Sequence, residues 1–62
     1  MIKDNLKIYR KLKNLSQEEL AKMLNVSFKT ISHWENGYSE PSIAIIKKLK
    51  EILNISYEDL LD

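Results

Sequence analysis

No cysteine occurs among the 62 residues, so neither disulfides nor thiolate metal sites support this fold. Histidine occurs once, at His33, and no carboxylate stands at ligand spacing from it, so no metal or other cofactor is expected. His33 also lacks an acid and a nucleophile placed to form a proton relay. No catalytic residue is expected, and the chain does not read as an enzyme. No apolar run approaches the length that spans a bilayer, and the N-terminus lacks a signal-peptide pattern. A cytoplasmic protein without membrane contact is the resulting expectation. Glycine and proline occur once each, and there is no strand-like alternation, linker or low-complexity segment. At this length a single domain, residues 1–62, holds one small core, near the lower limit for folding unaided.

The formal net charge is only +1, but it is unevenly spread. Residues 1–50 carry all ten Lys and Arg against five acids, and residues 51–62 carry four acids and no base. A chain that is +5 over most of its length and −4 at its end suits a polyanion on one side. An ordinary solvated surface accounts for the charge equally well.

Taken in order, residues 3–13 read as a helix with Ile2, Leu6 and Tyr9 inward beside Arg10. Asn14 ends it, because Asn tolerates the left-handed conformation. Ser16 caps the next helix, Gln17 to Leu24, with Glu19 completing a capping box and Leu20, Ala21 and Leu24 inward. Asn25 turns the chain, and Ser27 caps a third helix over Phe28–Asn36, about two and a half turns long. Gly37 lies just past its end. Tyr38 to Pro41 connect to a fourth helix, capped by Ser42 and running to Leu53 with Ile46, Leu49 and Leu53 inward. Asn54 ends that helix, and Ser56 caps a last turn with Leu60 and Leu61. Leu15/Leu20, Val26/Ile31, Pro41/Ile46 and Ile55/Leu60 each flank a serine cap at hydrophobic-staple spacing. The fold class is all-α, a bundle of about five short helices.

The third helix has two faces. Ile31, Trp34 and Glu35 fall on one by 3.6-residue spacing and anchor it; Lys29, Ser32, His33 and Asn36 fall on another, with Phe28 leading. The second face offers donors, acceptors, a fixed positive charge and a ring, a mixture suited to base-pair edges in the major groove. Trp34 is read as core. Phe28, too close to the cap for a core role, is read as an exposed ring for a thymine methyl or a sugar. Gln17–Leu24 and Phe28–Asn36, joined by a short turn around Asn25, have helix-turn-helix spacing over about residues 17–36.

Leu15-Ser-Gln-Glu-Glu-Leu-Ala21, Asn25-Val-Ser27, Thr30-Ile-Ser-His-Trp-Glu-Asn-Gly37 and Pro41-Ser42 resemble the Cro/CI-type (XRE) helix-turn-helix family. The resemblance covers nearly the whole chain and implies the lambda repressor-like fold and a bacterial or phage source. It implies that Phe28, Lys29, Ser32 and His33 face the groove. Gln17, Thr30 and Asn36 would approach the sugar-phosphate backbone, and Arg10 with Glu35 would form a buried ion pair tying the first helix to the third. Four departures stand out. Asn14, Asn25 and Asn54 replace the usual glycines. Tyr38-Ser39-Glu40 lacks the usual base, so phosphate contact there would fall to the Tyr38 hydroxyl. Lys50 replaces a small residue and must carry its charge outward. Ile8 and Leu12 form an apolar pair without an evident core partner.

The implied function is a transcriptional regulator, a repressor by expectation, that binds a double-stranded DNA operator as a homodimer. Family members meet through the C-terminal half, where Ile52, Tyr57 and Leu61 are the candidate contacts. The alternative is a protein-interaction module or antitoxin-type partner built on the same fold.

Overall fold

A serine starts four of the helices, and a left-handed residue ends four of them. The computed structural model describes residues 2–62, with helices α1 (Ile2–Leu12), α2 (Gln17–Leu24), α3 (Phe28–Glu35), α4 (Ile43–Leu53) and α5 (Tyr57–Leu61). Ser16, Ser27, Ser42 and Ser56 each turn a hydroxyl onto the backbone N–H three residues on, satisfying one unpaired first-turn donor per helix. Glu19 answers Ser16, accepting from its backbone N–H at 2.8 Å. That bond, followed by the one with the Ser16 side chain, holds the exposed Glu19 carboxyl below its ordinary pKa. Asp59 closes a second capping box on Ser56, which the Glu/Gln form of the motif does not anticipate.

The helix ends follow one pattern. Asn14, Asn25 and Asn54 sit at φ 57°, 59° and 54°, and Gly37 at 78°. In each case the N–H one residue further on reaches back five residues: Leu15 to Arg10, Val26 to Ala21, Tyr38 to His33 and Ile55 to Lys50. These are Schellman closures, which satisfy carbonyls a helix end otherwise leaves unpaired. The first helix begins at Ile2 and ends at Leu12, one residue ahead of the sequence-based limits at both ends. The third stops at Glu35, and Asn36 serves as its cap at φ −98°.

The fold is all-α, with no strand among the described residues. α2 packs on α3 and α4, and α1 on α3 and α5. Every helix contributes to one core: Leu6, Leu20, Ile31, Leu49, Leu53 and Leu60 have no exposure, and Ala21, Leu24 and Trp34 almost none. Ile46, expected inward, is half-buried beside Ile45 at the edge of this core. Asn5 Nδ2 donates to the Leu60 carbonyl at 3.0 Å, stitching α1 to the short α5. Lys50 places Nζ 3.9 Å from the centre of the Tyr57 ring, so its charge rests on an aromatic face. No helix among the described residues is long and apolar enough to cross a membrane.

The left-handed turn at Asn25 gives a direct test. Asn25→Ala is expected to lower unfolding stability by about 1 kcal/mol, since alanine lacks the local bonding that eases this conformation, while Asn25→Gly should not lower it. Urea titration followed by Trp34 fluorescence measures both. An alanine variant as stable as wild type would mean that this turn carries no strain.

Candidate nucleic-acid interface

The exposed face of α3 is set by what holds its opposite face. Ile31 and Trp34 enter the core, and Ala21 in α2 is small enough for α3 to cross closely. Glu35, at the last turn, meets Arg10 of α1 inside the protein, where the two residues are only 9% and 7% exposed. Arg10 Nε donates to Glu35 Oε2 at 2.6 Å and the Nη2 group to Oε1 at 3.0 Å, a bidentate pair. Nη1 donates to the Leu15 carbonyl at 2.8 Å, so the fork also holds the turn before α2. The hydrogen bond with Glu35 raises the Arg10 pKa against the opposing effect of burial, with the carboxylate charge adding to it. No buried side-chain polar atom among the described residues is left without a partner.

Gln17, at the start of α2, is tied into the same cluster. Its Nε2 donates to Glu35 Oε1 at 3.1 Å, which uses one amide proton and leaves the other for a second acceptor. Three helices therefore converge on one carboxylate.

On the outward face, Phe28 is 52% exposed, Lys29 and His33 are exposed, and Ser32 is half-buried between them. Thr30 is half-buried at the edge, its hydroxyl 3.0 Å from that of Ser27. Tyr38 is 78% exposed and sets its ring edge-on to His33, with centroids 5.8 Å apart and an interplanar angle of 81°. Asn36 directs its amide back onto Ser32. Phe28, Lys29, Ser32 and His33 thus share one surface, with Thr30, Asn36 and Tyr38 around it and Gln17 held through Glu35. Ile52, Tyr57 and Leu61 are not part of this surface; they belong to the end of α4 and to α5. No group of His, Cys, Asp and Glu among the described residues is arranged to hold a metal ion.

Sequence reasoning missed Lys3. Its aliphatic stem lies over Gly37, where an added Cβ would come within 3.1 Å of Lys3 Cδ. Lys3 thereby lines an open cleft of about 470 Å³ with Trp34, Tyr38 and Glu40, beside the end of α3. Its charge was visible in the sequence, but its proximity to residue 37 depends on how α1 crosses α3.

Two helices joined by the three residues Asn25–Ser27, the second anchored on one face and open on the other, define a helix-turn-helix domain. The chain belongs to the XRE family of such domains, whose model, described as Helix-turn-helix, matches residues 6–60. It is 42% identical over 59 residues to an uncharacterized HTH-type transcriptional regulator, MJ0272, of Methanocaldococcus jannaschii, covering 95% of this chain and 89% of that protein. Over 61 residues it is 36% identical to the antitoxin PezA of Streptococcus pneumoniae, covering 98% of this chain and 39% of PezA. Among solved structures, that of SinR, the master regulator for biofilm formation, in complex with DNA matches with a TM-score of 0.88 at 36% identity, covering 100% of both chains.

The ion pair makes the sharpest stability prediction. Arg10→Ala leaves the Glu35 carboxylate buried without its partner, at an expected cost of about 3–5 kcal/mol. That approaches the whole stability of a domain this small, so the variant should be largely unfolded by circular dichroism. Arg10→Met combined with Glu35→Leu should recover part of the loss, because no lone charge remains. An Arg10→Ala protein melting with wild type would show that the pair contributes nothing.

Proposed function

We propose that this chain is a sequence-specific regulator of transcription that binds a two-fold operator in double-stranded DNA as a homodimer, lays α3 in the major groove and represses by occupying the promoter. The observation that carries this reading is the division of α3 into a locked inner face and an outer face of cation, hydroxyl, imidazole and ring. A helix of eight residues is about 12 Å long, comparable to the width of the groove it would enter. Lys29 reaches acceptors such as guanine O6 and N7, Ser32 and His33 bond to base edges, and Phe28 covers a thymine methyl. Gln17, with its remaining amide proton and the N–H groups of the first turn of α2, grips a phosphate, and Thr30 and Tyr38 add hydroxyls at the edge. The SinR complex supports DNA as the partner for this fold.

One such helix reads only a few base pairs, so a second copy on a half-site about 34 Å away, or a multiple of that, supplies the missing specificity. Ile52 and Tyr57, both half-buried, and Leu61, 46% exposed, are the contacts between copies in this reading. An interface this small is weak, and the operator tethers the pair. The acidic C-terminal residues face away from the phosphates.

The second reading, a module that holds a protein partner, draws on the PezA relationship and on the exposed Ile8 and Leu12. It expects tight binding to that partner and no salt-dependent affinity for DNA. Selection from a random DNA pool separates the two: a two-fold consensus supports the regulator, and a pool without enrichment rejects it. Lys29→Ala and His33→Ala should each cost about 1–3 kcal/mol on the preferred site and relax particular base positions. An unchanged consensus in both variants would overturn the groove-facing register. Leu61→Glu is expected to remove cooperative binding to the full operator while leaving half-site binding and helix content intact, as read by mobility shift and circular dichroism. Undiminished cooperativity would place the dimer contact elsewhere.

A further inference from the structure

The cap of α3 holds a polar contact that neither the fold nor the groove reading uses. Asn36 Nδ2 lies 2.9 Å from the Ser32 carbonyl oxygen and 3.2 Å from Ser32 Oγ. A carbonyl oxygen only accepts, so the amide atom facing it must be nitrogen, and the orientation of the side chain follows. The amide nitrogen therefore donates to Ser32, within hydrogen-bond distance of both its carbonyl and its hydroxyl oxygen. The Asn36 amide nitrogen is thus engaged within the helix end, and its other polar atom, Oδ1, is an acceptor that phosphate oxygens repel. Ser32 Oγ, for its part, accepts from Asn36, so its own proton points away from Asn36. With one of its two lone pairs taken and its O–H polarised by that bond, the Ser32 hydroxyl is biased toward donating.

We propose that Asn36 is a specificity-determining residue that acts through Ser32: by donating to Ser32 Oγ it biases that hydroxyl toward donation, which favours the acceptor edge of guanine or thymine over the amino edge of cytosine at one position in each half-site. The proposal rests on α3 lying in the major groove, and it gives Asn36 a positioning role in place of a phosphate contact. Neither residue is in the core, so both can be changed without opening it.

The test is selection from a random duplex pool with the full chain as wild type, Ser32→Ala, Asn36→Ala and the double variant. Wild type should show one half-site position that favours an acceptor edge. Asn36→Ala should weaken that preference about three- to tenfold, the range of a neutral hydrogen bond, with other positions unchanged. Ser32→Ala should flatten the same position, and adding Asn36→Ala to it should change nothing more. Asn36→Asp accepts where asparagine donates, so it should draw the Ser32 proton inward and move the preference toward an amino-bearing base. If the carboxylate unfolds that variant by meeting the negative end of the helix, the alanine cycle decides alone. A wild-type consensus that Asn36→Ala leaves unmoved overturns the proposal by itself. So does an Asn36→Ala loss that falls equally on all sequences in both backgrounds, the mark of a phosphate contact. A wild-type chain that selects no consensus overturns the groove reading and this proposal with it.

Discussion

Two charges taken out of water determine how this small protein is assembled. A lone buried charge is costly enough to unfold a marginal domain, so Arg10 and Glu35 are tolerable only together. Their planar, two-bond geometry restricts orientation in a way that leucine against leucine does not. The fork comes from α1, the carboxylate from the end of α3, and Leu15 and Gln17 bring the start of α2 to the same point. The rotation of α3 about its own axis is therefore defined relative to the body of the protein. That rotation decides which side chains face outward, so a buried ion pair sets which face of α3 is presented to solvent.

Economy of connection is the second constraint. Leu15, Val26 and Ile55 each donate the N–H that closes one helix, and each then stands before the serine that opens the next. The same side chains pack against the edge of the core. One residue thus ends a helix, aims its successor and covers apolar surface. Few residues are spent on loops, and a chain of 62 can supply five helices to one core.

The devices legible in the sequence are those that act over three to five residues. Serine caps, staple pairs and left-handed Asn positions each follow from local geometry, and their agreement with the apolar pattern made the bundle readable. The helix limits moved by one residue because Asn36 still bonds to Ser32 while acting as a cap, and Lys13 turns out of α1. Contacts that depend on how helices cross were not legible: Lys3 on Gly37, Asn5 on Leu60, Gln17 on Glu35. Spacing assigns a side chain to a face but does not say which neighbour it meets there. Lys50 illustrates this, since the expected outward charge found a ring instead. Spacing put Ser32, His33 and Asn36 on the outer face of α3 and family likeness added Thr30 and Tyr38, but neither specifies the mutual contacts of Tyr38 with His33 and of Asn36 with Ser32.

Asn36 is followed by the one glycine in the chain. With no side chain on the second residue to obstruct it, an Asn-Gly backbone nitrogen readily closes on the amide carbon, expelling ammonia; water then opens the ring to a carboxylate or its isomer. Here the amide is drawn toward Ser32 and the Gly37 N–H is bonded to the Trp34 carbonyl at 3.3 Å, so the folded helix end opposes ring closure. Unfolded chains have neither restraint. Each excursion to the unfolded state therefore exposes this peptide to chemical ageing, and the lifetime of the helix cap is coupled to the stability of the whole domain.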